Sequence, residues 1–316
     1  MFPKLSSSSN AGASHAQVSA NPHVNTANMS ATAHLGAAGA VILSGVIQYV
    51  GAAVAVRLFA VAAVLAVGWG RVAVGALVML IWQRPRLARR AWGWAACYGL
   101  TLVTMNMLFY IAISRIPLGS AVAVEYIGPI LLAVCSARTR RIYLAVACAA
   151  CGVGAISWAG VRLEQTGVLL GIGAAFAAGI AWAGYLWIGG KIAKMVGGYS
   201  ALAVGMGIGC LCYAPLAVSQ TGVIFAHPRF LGMMIIVGIC SSVVPYVIDA
   251  RILRNIPAGQ YALFNAILPA TSAVVAVFLL RQLPGVGDIV GIALVTCAVL
   301  LVSSESIRSR HARPDM

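Results

Sequence analysis

Acidic side chains are almost missing from this chain: six Asp and Glu stand among 316 residues, and Asp, Glu, Lys and Arg together make up only 9%. A soluble domain carries roughly 25% charged residues, so a water-surrounded globule is excluded. No stretch alternates apolar and polar residues in the ~10-residue units of a barrel strand, which excludes an outer-membrane barrel. No G-x-x-x-x-G-K-[ST] sequence occurs, and direct ATP drive by this chain goes with it. Histidine is absent from every long apolar run; His34 precedes the first and His227 lies in a joint, so no Ser–His nucleophile is available there. Cys148 and Cys151 have CxxC spacing but no second Cys/His pair at ligand spacing, and the eight cysteines read as small packing residues, not as a metal or disulfide site. No continuous apolar segment follows a basic start, so a signal peptide is not expected.

What is present in excess is apolar: 61% hydrophobic residues and a mean hydropathy of +0.96. The apolar runs approach the ~20 residues that a helix needs to cross a bilayer, which makes this an all-α integral membrane protein. Ten spans are expected, at 36–56, 61–82, 92–113, 118–136, 142–159, 167–188, 200–218, 231–250, 257–280 and 285–303. Residues 1–34, rich in Ser, Ala and Asn, read as a disordered tail, and 305–316 as a cytoplasmic tail. The +15 balance sits in short clusters between spans, so it points to lipid and orientation and not to nucleic acid. Arg84, Arg86, Arg89 and Arg90 follow the second span, Arg138, Arg140 and Arg141 the fourth, Lys191 and Lys194 the sixth, Arg251 and Arg254 the eighth. The other joints hold one Arg each at most, which places every even joint, and both termini, in the cytoplasm.

One stretch repeats. Ile116–Pro129 reads IPLGSAVAVEYIGP and Ile256–Pro269 reads IPAGQYALFNAILP, with Ile, Pro, Gly, Ile and Pro in register and Glu125 opposite Asn265. The copies fall in the fourth and ninth spans. An offset of five spans reverses direction through the membrane, so 35–160 and 161–304 are expected to be two inverted five-helix repeats. Within each, Pro129 and Pro269 remove an N–H and free the carbonyl four residues back, that of Glu125 or Asn265. Pro117 and Pro257 open the same spans, where a first-turn proline loses no bond.

Candidate polar residues follow from burial in this apolar setting. Glu125 is the acid deepest in a span, and it either faces a cavity, finds a cation and cycles a proton, or sits protonated as an interhelical bond. Arg71, midway along the second span, is a partner for Glu125 or for a solute carboxylate, or else snorkels to the interface. Asp249 ends the eighth span, cavity-facing or in the headgroup layer. Asn106, Tyr110, Tyr126, Tyr246, Gln48, Gln260 and Asn265 offer hydrogen bonds to a small polar solute, or across helices.

The motif M105-N-M-L-F-Y110, the run from Ile116 to Pro129, and Pro245-Tyr246 with Asp249 resemble the EamA-type branch of the drug/metabolite transporter superfamily, and within it the threonine and homoserine exporters. The resemblance spans roughly 45–302. It implies a secondary exporter of small amino acids or related metabolites in the inner membrane, driven by the proton gradient and without a cofactor. Multidrug or other metabolite efflux by the same fold is the alternative, and an intramembrane enzyme a remoter one. It also implies that Arg71 and Glu125 occupy polar intramembrane positions of the family, that Asp249 stands where this branch has an acid, and that Asn265 replaces an acid in the second repeat. The expected partners are a small-molecule substrate and the bilayer, with the carrier a monomer or homodimer.

Overall fold

A computed structural model of the protein describes residues 31–85, 87–136, 139–156, 167–192, 198–248 and 264–311. Its long elements are α1 (Ala31–Leu58), α2 (Val64–Gln83), α3 (Trp92–Ile113), α4 (Leu118–Glu125), α5 (Ile127–Ser136), α6 (Arg140–Ala155), α7 (Val168–Ile192) and α8 (Gly198–Ala217). A short α9 (Gly222–Ala226) leads into α10 (Pro228–Gly238), and α11 (Leu268–Leu280) and α12 (Val286–His311) close the chain. No strand occurs among the described residues.

Seven stretches among them are long and apolar enough to cross a membrane: 38–58, 64–83, 89–113, 168–192, 200–220, 228–248 and 286–304. Shorter apolar helices cover 118–132 and 268–280. Leu169, Leu211 and Phe278 are 75%, 75% and 78% exposed, a placement that water would penalise and hydrocarbon accepts. The protein is thus a multi-pass, all-helical membrane protein.

Two boundaries differ from expectation. Helix α1 begins at Ala31, inside the stretch expected to be a tail, and α12 runs to His311, past the expected end of its span at 303. The apolar pattern marks where a helix meets lipid, whereas backbone hydrogen bonding continues a helix into the polar layer. Residues 1–30 and 312–316 lie outside the described residues.

The span expected at 118–136 is broken: α4 stops at Glu125, Tyr126 turns, and α5 resumes at Ile127. In the second copy residues 264–265 are helical, 266–267 form a turn and α11 begins at Leu268. The two breaks fall at equivalent places in the repeated sequence, each just before a proline that cannot donate to the preceding turn.

Helix α3 packs on α7 and α8, α2 on α8 and α10, α1 on α10 and α11, α4 and α5 on α7, and α6 on α12. Small residues set how closely these pairs approach. A Cβ on Gly128 would overlap the carbonyl of Gly179, and one on Gly179 would reach 2.5 Å from the carbonyl oxygen of Glu125. The broken helix therefore crosses α7 backbone against backbone, as small residues permit in membrane bundles. Gly99 of α3 and Gly205 of α8 make the same kind of crossing.

Gly179→Val is expected to lower the melting temperature in detergent through overpacking, at a cost of about 1–3 kcal/mol or more. Gly173→Val, on the same helix with open space at its Cβ, should leave melting unchanged. Size-exclusion profiles and thermal melts of the two variants check this, and equal melting would remove the crossing from the account.

Candidate functional site

Glu125 ends α4 and is buried, and its main-chain oxygen, released by Pro129, lies against Gly179. Beside it, Tyr126 sets the edge of its ring on Trp182 of α7, with centroids 4.8 Å apart at 89°. The Tyr126 hydroxyl donates to the carbonyl of Asn265 at 3.2 Å. That carbonyl is the one Pro269 releases, so the first break satisfies the second. The sequence match aligned Glu125 with Asn265; the contact that joins the two stretches comes from the neighbouring tyrosine.

Arg71 is buried on α2 and does not snorkel. Its Nη2 donates to the carbonyl of Ser241 at 2.5 Å, and its Nε to the Ser242 hydroxyl at 3.2 Å. Its guanidinium carbon lies 5.5 Å from the centre of the Tyr110 ring, in cation–π range. Ser241 and Ser242 belong to a π-helical turn, Ile239–Val243, that follows α10. Pro245 explains that turn: it cannot donate to the carbonyl of Ser241 four residues back, and Arg71 supplies the missing donor. Two charge-assisted bonds at about 1.5–3 kcal/mol each offset the roughly 2.5–3.5 kcal/mol of placing an arginine in mid-membrane. The Ser241 hydroxyl in turn donates to the carbonyl of Gln48 at 3.1 Å, which ties α1 to the same turn.

Arg71 and Glu125 are electrostatic neighbours, as are Glu125 and Tyr49 of α1. No ion pair closes on Glu125 among the described residues, and the guanidinium is held by the serines instead. Tyr110 is fully buried against Phe59, at 5.8 Å edge-on, and Phe109, at 6.3 Å, and among the described residues its hydroxyl makes no well-formed hydrogen bond. An unmet buried hydroxyl costs about 1–3 kcal/mol. Asn106, also buried, donates to the carbonyl of Leu102 on its own helix at 2.8 Å.

The sequence candidates thus divide. Glu125, Arg71, Tyr110, Tyr126, Asn265 and the backbone of Gln48 share one connected region. Tyr246 packs against a different cluster, which includes Tyr98 and Met206. Pro117 precedes α4 as its cap, and the N–H of Leu118 bonds to the Gln282 side chain at 3.1 Å. Asp249, Pro257 and Gln260 lie outside the described residues. Sequence reasoning passed over Tyr49, Ser241, Ser242 and Asp288. Counting four back from Pro245 finds Ser241. Asp288, buried in the first turn of α12, accepts from the Ser120 hydroxyl at 2.5 Å and from the N–H of Gly285 at 3.0 Å, and so staples α4 to α12.

A multi-pass bundle with a proline-broken helix, a buried acid and a buried arginine suits passage of a polar solute, and the relatives agree. Residues 169–304 match the EamA-like transporter family. The chain is 29% identical over 270 residues to the threonine/homoserine exporter RhtA of Salmonella typhimurium (strain SL1344), covering 84% of this chain and 89% of the relative. It is 29% identical over 235 residues to the exporter of that name in Escherichia coli (strain K12), covering 73% and 79%. The second half of the chain thus carries an EamA-like transporter domain, and most of the chain is similar to these exporters. The uncharacterized transporter YwfM of Bacillus subtilis (strain 168) is 25% identical over 261 residues, covering 78% of the chain and 87% of the relative. One solved crystal structure superposes on 88% of this transporter and on all of its own chain, with a TM-score of 0.55 at 16% identity, a likeness of fold alone. The work of such a chain is to carry a small molecule across the bilayer, not to catalyse a reaction.

The Arg71–Ser241 bond is open to a double-mutant cycle. Arg71→Met leaves the Ser241 carbonyl unmet and should destabilise the transporter by about 1–3 kcal/mol. Adding Pro245→Ala restores an N–H to that carbonyl, and the pair should recover about 1 kcal/mol of the loss. Thermal melts of the wild type, both single variants and the double variant read the coupling; strict additivity would show that Arg71 does not fill the proline's vacancy.

Proposed function

We propose that this transporter is a secondary active exporter of small amino acids of the threonine and homoserine kind, driven by the proton gradient across the inner cell membrane. The observation that carries the reading is Glu125, a buried carboxyl at a helix break with Arg71 beside it and, among the described residues, no ion pair closed on it. A carboxyl so placed can take up and release a proton as the surroundings change. The substrate class rests on near full-length likeness to exporters so named.

The proposed architecture is ten spans in two inverted five-helix repeats, 35–160 and 161–304, with both termini in the cytoplasm. The packing pattern supports it. An offset of five spans converts the pairing of α3 with α8 into that of α10 with α2, and the pairing of α4 and α5 with α7 into that of α11 with α1; both partners of each exchange occur. The paired breaks near Tyr126 and Ala266 follow the same rule. The arginine clusters between spans support the orientation. In this arrangement Glu125 carries the proton in one repeat, Asn265 offers a neutral hydrogen-bonding group in the other, and Arg71 receives the substrate carboxylate once it releases the serines.

Glu125→Gln keeps shape and hydrogen bonding but cannot ionise. In proteoliposomes it should lose at least about tenfold of threonine export driven by an imposed proton gradient, while it inserts and melts like the wild type. Undiminished gradient-driven export by this variant would end the coupling role.

A further inference from the structure

The Tyr110 hydroxyl is the one side-chain polar atom among the described residues that is sealed from solvent with no hydrogen-bond partner. The position has no evident need of it. Phe59 and Phe109 pack on the ring and Arg71 lies over it, and a phenylalanine would keep these ring contacts without burying an O–H that has no acceptor. Arg71, the polar neighbour of the hydroxyl, can only donate and is held by the serines, so the hydroxyl's own proton has no acceptor among the described residues, which points to a partner from outside. Arg71 is the electrostatic neighbour common to Glu125 and to Tyr110, which places the hydroxyl at the edge of the region that holds the acid and the cation.

Resting on the exporter reading, we propose that Tyr110 determines specificity: its hydroxyl pairs with the side-chain hydroxyl of a small amino acid whose carboxylate is held by Arg71 and whose ammonium group is held by Glu125. An amino acid has three polar groups if its side chain carries a hydroxyl, and this region has three counterparts. The contacts that seal Tyr110 between α3, α2 and the end of α1 are contacts that an alternating carrier remakes as it opens. A site built to pair a hydroxyl discriminates against the analogue that lacks one, because the protein's own group is then left unmet. Threonine should therefore be preferred to 2-aminobutyrate, which has the same chain without the hydroxyl.

The test compares labelled threonine with labelled 2-aminobutyrate in counterflow, using proteoliposomes of the full chain and of Tyr110→Phe. The wild type should prefer threonine by about tenfold or more, the worth of one well-made hydrogen bond. In Tyr110→Phe the preference should fall to within about threefold, through a raised KM for threonine and with 2-aminobutyrate handled as before. Ligand-induced melting shifts give a readout independent of transport: threonine should raise the wild type's melting temperature more than 2-aminobutyrate does, and the difference should vanish in the variant. The unliganded variant should melt no lower than the wild type. A lower melting temperature would mean that the hydroxyl has a structural partner, and it would overturn the proposal. So would a preserved preference, or equal losses for both amino acids. A wild type that carries neither amino acid would overturn the exporter reading, whereas one that carries both, with an unchanged preference in Tyr110→Phe, overturns the role of Tyr110 alone.

Discussion

A backbone carbonyl released by proline inside hydrocarbon must find a donor, and the polar architecture of this protein follows from that requirement. Water is not at hand to satisfy it, and an unmet group costs several kcal/mol in lipid. Pro245 releases Ser241, and Arg71 answers. Pro269 releases Asn265, and the Tyr126 hydroxyl answers. Pro129 releases Glu125, whose oxygen is covered by the bare backbone of Gly179. The residues that gather around the acid are therefore held by backbone needs as much as by one another. Arg71 stays in mid-membrane because a carbonyl there requires it, and Tyr126 joins the two broken helices for the same reason.

This arrangement separates what fixes the bundle from what is left available. The serines of the π-helical turn and the carbonyl of Asn265 have their partners, as does Asp288, which accepts from both Ser120 and Gly285. Among the described residues the Tyr110 hydroxyl has no such bond, and no ion pair closes on Glu125. Polar groups that stabilise a fold are expected to be paired, and groups that meet a solute are expected to stand unpaired until it arrives. The two that stand out by this measure are both electrostatic neighbours of one arginine.

Much of this could be read in the sequence because lipid narrows the choices. With only helices available and so few charges, the apolar runs placed most of the described helices to within a few residues, and the rule that proline frees a carbonyl four residues back located the break at Glu125. The same rule applied at Pro245 would have reached Ser241; there attention went to the acid four residues after the proline, Asp249, and not to the carbonyl four residues before it. What the linear pattern does not contain is the pairing across helices. Nothing at Arg71 distinguishes a guanidinium turned toward Ser241 from one turned toward Glu125, since both partners lie far away in sequence, and Tyr49 drew no notice as one aromatic among many. Asp288 was hidden for another reason: an acid in a helix's first turn is ordinary at a surface, and only the packing of α4 on α12 buries it.

The strength of Arg71's present bonds bears on how a carrier of this kind would work. A guanidinium joined to a carbonyl and a hydroxyl, and resting over an aromatic ring, surrenders those contacts only to something that binds it better, and a carboxylate does. The exchange has a consequence for the helix that is left behind. Once Arg71 turns to a solute, the Ser241 carbonyl is unmet again, and the π-helical turn that Pro245 imposes loses the bond holding it to α2. In the proposed mechanism substrate binding therefore loosens α10 from α2 at the level of the site, so that recognition of the carboxylate and release of the interhelical contact become one event. The Ser241 hydroxyl, bonded to Gln48, carries the same disturbance to α1, the helix that also bears Tyr49 toward Glu125. In that mechanism a single arginine connects the solute, a proline-strained turn and the neighbourhood of the acid, which is the kind of coupling that export against a gradient would require.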